Sequence, residues 1–258
     1  MKPPRTIALL TDFGIHDHYV GAMKGVIAGI APQTRIIDIT HQVKPHAIKQ
    51  GGYLLWAAFP YLPPKTIFIG VVDPGVGSGR QILCIEFENI TVLVPDNGLA
   101  DFLIHDFPVK RAFNVKNSQL FLETTSTTFH GRDIFAPVAA HLSRGVKIDK
   151  VGSEITLPAV EDPFIEHPGK YRCSILHIDR FGNIITNVRV SDHKVNSTLV
   201  KKGRTLIKRH YRSYKEIPDG DVGILQGSSK LMEISARQTN AAAMLDVHVG
   251  NTLEVIIP

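Results

Sequence analysis

Over roughly its first 150 residues the chain alternates short apolar runs with segments of helical spacing, and this alternation limits the fold more than any other feature. Thr6–Thr11 reads as a buried strand. Tyr19–Ile30 follows with Tyr19, Ala22, Met23, Val26, Ile27 and Ile30 on one helical face. Arg35–Ile39 reads as a strand, Ala47–Phe59 as a helix ending before Pro60, and Thr66–Val72 as a second buried strand. Ile82–Phe87 and Thr91–Pro95 form a predicted hairpin. Leu99–His105 and Arg132–Ser143 are predicted helices. Strands followed by helices point to an α/β domain with a largely parallel sheet.

The texture changes after residue 157. The stretch 158–167 contains Pro158 and Pro163, lacks periodicity and reads as a linker. Beyond it the chain is rich in strand patterns: Arg172–Asp179, Ile184–Val190, Thr205–Lys208, Val222–Gln226, Leu231–Ser235 and Thr252–Ile257. Only Asn240–Leu245 looks helical there. The expected organisation is an α/β domain over 1–157, a linker over 158–167 and a smaller, mainly β, barrel-like domain over 168–258.

Several classes are disfavoured by composition. No apolar run approaches the roughly 18 residues that span a bilayer. The apolar stretch within Met1–Thr11 is short and runs straight into Asp12, so it reads as a first strand and not a signal peptide. Cys84 and Cys173 are far apart in apolar runs, which gives neither a disulfide framework nor zinc spacing and suits a reducing compartment. A cytoplasmic protein without membrane contact is the expectation. The net charge of +5 is thinly spread. Its densest stretch is Lys201, Lys202, Arg204, Lys208, Arg209 and Arg212, with Tyr211 and Tyr214 interleaved. A solvated strand pair accounts for it, and no nucleic-acid partner is expected.

The segments that look like chemistry sit at element ends. Asp12, in Thr11-Asp12-Phe13-Gly14, follows the first strand, where the carboxyl edge of a parallel sheet binds ligands. A carboxylate there can accept from both hydroxyls of a ribose; it can equally cap the following helix. Asp73 and Arg80 flank the glycine-rich turn 73–80 after another strand, which is neither a P-loop nor a dinucleotide fingerprint. Asn97 lies in Asp96-Asn97-Gly98, which turn chemistry also explains. His130 lies in Phe129-His130-Gly131-Arg132-Asp133, just before a helix, and histidine carries protons near neutral pH. His16 and His18 are a poor metal signal, and no metal is expected. Phe181 and Asn183 in the turn 179–183, and Ser228 after a later strand, suggest one rim of a site in the β domain.

Taken in order, TDFG (11–14), VDPGVGSGR (72–80), PDNGL (95–99), FHGRDIFAP (129–137), IDRFGNIITN (178–187) and the segment 227–233 resemble the S-adenosyl-L-methionine hydroxide adenosyltransferases. These are also called adenosylmethionine hydrolases, relatives of the fluorinase and chlorinase. The resemblance runs over nearly the whole chain. It implies hydrolysis of S-adenosyl-L-methionine to adenosine and methionine, with no cofactor. It also implies a homotrimer with sites formed between the N-terminal domain of one subunit and the C-terminal domain of its neighbour. Asp12 would hold the ribose, Asn183 the sugar and amino-acid parts, and Ser228 the adenine or methionine end. Asn97 and Phe181, inside matching motifs, are further substrate-binding candidates. Asp73, Arg80 and His130 match the water-handling set, which the halogenating relatives lack. His46 stands where the fluorinase carries an aromatic residue.

In the arrangement these residues suggest, Arg80 and His130 hold the water and Asp73 orients Arg80. Arginine stays protonated and cannot be the base, so Asp73 or His130 accepts the proton. Two other readings stay open at this stage. One is halide transfer to the same carbon, and the other is a non-catalytic sensor of adenosine or its sulfonium.

Overall fold

A computed structural model describes residues 5–189 and 198–257. The chain divides into two compact units, Met1–Glu161 and Asp162–Pro258. Val190, the last residue of one predicted strand, and residues 1–4, in the predicted first segment, lie outside the described residues.

The first unit contains β1 (Ile7–Thr11), α1 (Tyr19–Ile30), β2 (Ile36–Thr40), α2 (Ile48–Ala58), β3 (Thr66–Val71), β4 (Ile82–Glu86) and β5 (Ile90–Pro95). Then come α3 (Asp101–Asp106), β6 (Arg111–Val115), α4 (Ala136–Ser143) and β7 (Gly152–Ile155). The sheet order is β2-β1-β3-β5-β4-β6-β7. Strands β2, β1, β3 and β5 pair in parallel, and β4, β6 and β7 add antiparallel strands. Helices cover both faces, which is why β1 and β3 are buried along their whole length and mostly apolar. Ile7, Leu9, Ile67, Ile69 and Val71 share a core with α1 and α4. On the other face a side chain at Gly70 would strike Leu55 of α2. Strands β6 and β7 carry no clear apolar alternation, and the sequence reading missed them; backbone pairing of β6 to β4 and of β7 to β6 holds them.

The predicted helix Arg132–Ser143 is split. Gly131–Phe135 is a π-helical turn, and α4 proper begins at Ala136. Pro137 has no N–H to give the Asp133 carbonyl four residues earlier. That carbonyl instead accepts from Leu122 N–H at 2.9 Å, which ties the preceding loop to the helix start.

The second unit is the barrel-like β architecture expected. It holds β8 (Gly169–Ile178), β9 (Ile184–Arg189), β10 (Leu199–Lys202), β11 (Thr205–Ile207), β12 (Val222–Gln226), β13 (Leu231–Ala236), α5 (Ala241–Met244) and β14 (Thr252–Ile257). The order is β11-β10-β14-β8-β9-β13-β12. Residues after β11 nearly close the sheet on β12, through Tyr211 N–H to Ile224 O and Ile224 N–H to Arg209 O, each at 2.9 Å. The basic stretch begins as the β10–β11 hairpin. Part of the predicted linker packs here: Arg189 lies 3.7 Å from the Phe164 ring centre and pairs with Glu166 at 2.7 Å. Among the described residues no helix is long and apolar enough to cross a membrane.

Candidate active site

Strands β1 and β3 are parallel neighbours, with Thr11 beside Val71. Asp12 and Asp73 therefore leave the sheet side by side at its carboxyl edge, where ligands of α/β sheets bind. The turn after β1 is tightly held. Phe13 N–H donates to Thr11 Oγ1 at 3.2 Å, and Gly14, at φ +71°, donates to His41 O at 2.7 Å. Buried Thr11 also meets His41 Nδ1 at 2.9 Å, and His41 Nε2 meets Asp38 at 3.1 Å. Burial pushes the Asp38 pKa up, but hydrogen bonds from Lys24 and His41 outweigh it and hold the carboxyl low. Asp12 Oδ2 accepts from His46 N–H at 2.9 Å. Its Oδ1 has no hydrogen-bond partner among the described residues.

The turn after β3 folds Arg80 back onto Asp73. Arg80 Nε donates to Asp73 Oδ1 at 2.8 Å and Nη2 to Oδ2, a bidentate pair whose side chains are 9% and 5% exposed. Nη1 donates to Gln81 O at 3.3 Å, and Nη2 also reaches His130 Nδ1 at 3.2 Å. A guanidinium only donates, so Nδ1 accepts and the proton of the neutral ring sits on Nε2. Burial, and then the Arg80 charge, hold the His130 pKa below the ordinary histidine value, against smaller upward pulls from Asp73 and Asp133.

The loop that carries His130 is locked from two sides. Asp133, fully buried, accepts from Arg132 Nε at 2.6 Å and from Ser126 N–H at 2.8 Å, and Ser126 Oγ accepts from Phe129 N–H at 3.0 Å. Burial raises the Asp133 pKa, but these donors outweigh it and keep the carboxyl low. Opposite, Gly77 adopts φ +80°, and a Cβ there would run into the Thr127 carbonyl. Only glycine allows both the turn and the close approach. The sequence reading assigned Asp133 no role; the one local signal was Pro137 four residues later.

Asp12, His46, Asp73 and His130 line one cavity of about 350 Å³, with Phe13 and Phe129 among its walls. Arg80 does not line it. It stands behind Asp73 and His130 and faces a separate hollow with Gln81 and Lys116. Asn97 does not line it either: its Nδ2 donates to Val72 O at 2.9 Å and its Oδ1 accepts from Leu99 N–H at 3.2 Å.

The remaining candidates lie in the second unit. Asn183 is buried, and its Nδ2 donates to Asp179 at 2.8 Å; Asp179 also accepts from the Phe181 and Asn183 N–H groups. Phe181 is 76% exposed. Ser228 is exposed in the turn between β12 and β13. Strand pairing sets that turn and the turn 179–183 at opposite ends of the β9–β13 ladder, so they do not share one strand-end rim. Glu233, buried on β13, was not anticipated. Burial and then Asp179 raise its pKa, while a hydrogen bond from Tyr214 opposes.

Comparison with known proteins places this geometry in a family. Residues 7–152 match the SAM hydroxide adenosyltransferase N-terminal domain, and residues 173–254 match the corresponding C-terminal domain. The chain is 36% identical to an (R)-S-adenosyl-L-methionine hydrolase of Methanocaldococcus jannaschii, over 97% of this chain and 95% of that protein. It is 32% identical to the enzyme of that name from Thermus thermophilus, over 98% and 100%. A solved structure of an uncharacterized conserved protein from Thermotoga maritima superposes with a TM-score of 0.87 at 32% identity, covering 97% and 99%. A fluorinase of Nocardia brasiliensis is more distant, 24% identical over 72% of each chain. The chain belongs to the SAM hydroxide adenosyltransferase family.

Proposed function

We propose that the protein hydrolyses S-adenosyl-L-methionine to adenosine and L-methionine by attack of water on the ribose 5′ carbon. The observation that carries this reading is the hydrogen-bonded chain Asp73–Arg80–His130, whose two ends line a cavity that also presents the open oxygen of Asp12. Four hydrolases at 31–36% identity support it, and the fluorinases lie further off. The sulfonium is a stereocentre, and the relatives' names point to its (R) form as substrate.

The sulfonium leaves as a neutral thioether, so no acid is needed to expel it. The need is a water aligned behind the 5′ carbon, and such positioning can contribute roughly 7–11 kcal/mol. His130 donates Nε2–H to that water. Its Nδ1 is taken by Arg80, so the neutral ring has no free acceptor. Asp73 lines the cavity and keeps lone pairs beyond those given to Arg80, which makes it the proton acceptor. The water oxygen bonds to the 5′ carbon, the carbon–sulfur pair departs with methionine, and the proton passes to Asp73 and then to solvent. Arg80 bridges the two groups and fixes the histidine tautomer. Asp12 receives the ribose hydroxyls.

Asn183, Phe181 and Ser228 as substrate contacts and a homotrimer complete the proposal on the resemblance of the motifs. Asn97, a substrate-binding candidate by that resemblance, is proposed as a support of the site on its hydrogen bonds to Val72 and Leu99, and a cytoplasmic location on the two free, buried cysteines. Incubation with the substrate in oxygen-18 water tests the core of it. Adenosine labelled at its 5′ oxygen, together with methionine, is the expected result. Unlabelled adenosine or no cleavage overturns it. Light scattering of the purified protein at three times the chain mass is expected for the trimer.

A further inference from the structure

The aromatic side of the cavity has no part in the chemistry above. Phe13, Tyr19 and Phe129 all line it and touch one another, with ring centres 5.8 Å apart for Phe13–Tyr19, 5.9 Å for Phe13–Phe129 and 5.0 Å for Tyr19–Phe129. Phe13 directly follows Asp12, and Phe129 directly precedes His130. A nucleoside that reaches from Asp12 to His130 therefore passes along this cluster.

The charges on the wall point the same way. The Asp73 carboxylate is cancelled by Arg80 behind it, and His130 adds no cation while its Nδ1 accepts from Arg80. Asp12 is left without a cationic partner, and no lysine or arginine lines the cavity among the described residues. A site with one unbalanced carboxylate and aromatic faces suits a cation that is only weakly hydrated, as in the aromatic cages that hold methylated onium groups. Phe129 is the least available of the three rings, because Arg132 already lies 5.0 Å from its centre and only 8% of the residue is exposed. Tyr19, at 39% exposure, and Phe13 remain.

We propose that Phe13 and Tyr19 are specificity-determining residues that hold the positive sulfonium against their rings and so favour it over the neutral thioether. The inference rests on S-adenosyl-L-methionine as the substrate. It has a consequence for turnover. Cleavage removes the charge from sulfur, so the products lose this attraction at the moment they form and depart more readily than the substrate.

The test is calorimetric, on the full chain, with two analogues that are not cleaved. Sinefungin carries an ammonium where the sulfonium stands, and S-adenosylhomocysteine is the neutral thioether. The wild type should prefer sinefungin. Tyr19→Leu and Phe13→Leu should each lower that preference by about three- to thirtyfold with little change for the thioether. Tyr19→Phe keeps the ring and should keep the preference. Equal weakening of both analogues in the leucine variants would mean that the rings merely pack, and an unchanged preference would also overturn the proposal. Failure of the hydrolysis reading would show separately, as absence of labelled adenosine from the wild type.

Discussion

Arg80 Nη2 donates to His130 Nδ1 at 3.2 Å, so the imidazole presents Nε2–H as its free polar edge. Through the same guanidinium His130 is joined to Asp73, and the three groups act as a unit. Arg80→Ala should therefore lower kcat by about two to three orders of magnitude while substrate still binds. Arg80→Lys should not restore it, because an ammonium cannot reproduce the planar fork. Single-turnover rates with a parallel binding assay check this; a near-normal rate in either variant would remove Arg80 from the mechanism.

The depressed pKa of His130 sets the direction of the pH profile. Protonation puts an N–H on Nδ1, facing the Arg80 N–H, and breaks the contact. Activity should be complete where the ring is neutral and fall as pH drops through its pKa. The acid limb of kcat/KM should then have its midpoint below 6.5, the unperturbed histidine value. A midpoint above 6.5 would mean that the ring is held charged, and the tautomer assignment would fail.

Asp12 should govern binding and not turnover. Its Oδ2 is committed to His46 N–H, which leaves Oδ1 and further lone pairs for ribose hydroxyls. Hydrogen bonds to a charged group contribute about 1.5–3 kcal/mol, so Asp12→Ala should weaken adenosine binding by roughly ten- to a hundredfold. Unaltered affinity for adenosine would refute the assignment.

Asp133 holds the His130 loop from beneath. Asp133→Ala removes the acceptor of Ser126 N–H and of Arg132 in a fully buried position. A loss of about 1–3 kcal/mol in denaturant unfolding is expected, with reduced turnover. Full stability and full turnover together would show that the loop is held by other contacts.

Gly77→Ala should disturb the same loop from the opposite side. The residue combines φ +80° with a backbone carbonyl where a Cβ would stand. Lower kcat with little change in affinity for adenosine is the expected pattern. Wild-type kinetics would mean that the 73–80 turn can shift without cost to Arg80.

Much of this molecule was legible in the linear pattern. Continuous apolar runs such as Ile7–Thr11 and Thr66–Val71 can be buried only between two helical layers, so the α/β class follows from local periodicity. Asp12 follows β1 directly and Asp73 follows β3 by one residue, so their place at the carboxyl edge of the sheet was readable from the strand pattern. The ordered motifs carried the family. What local pattern could not supply was the direction and partner of each side chain. Asn97 sits in a motif with the others, yet its amide is spent on the Val72 carbonyl and the Leu99 N–H. Arg80 could have faced the cavity, but the fold places it behind Asp73 and His130, the latter contact joining residues 50 apart in sequence. Asp133 reads as an ordinary helical acid until Pro137 frees its carbonyl and packing buries its carboxylate. Periodicity depends on neighbours along the chain and is therefore written in the sequence. Tautomer, pairing and access depend on groups brought together across it, and only the tertiary structure decides them.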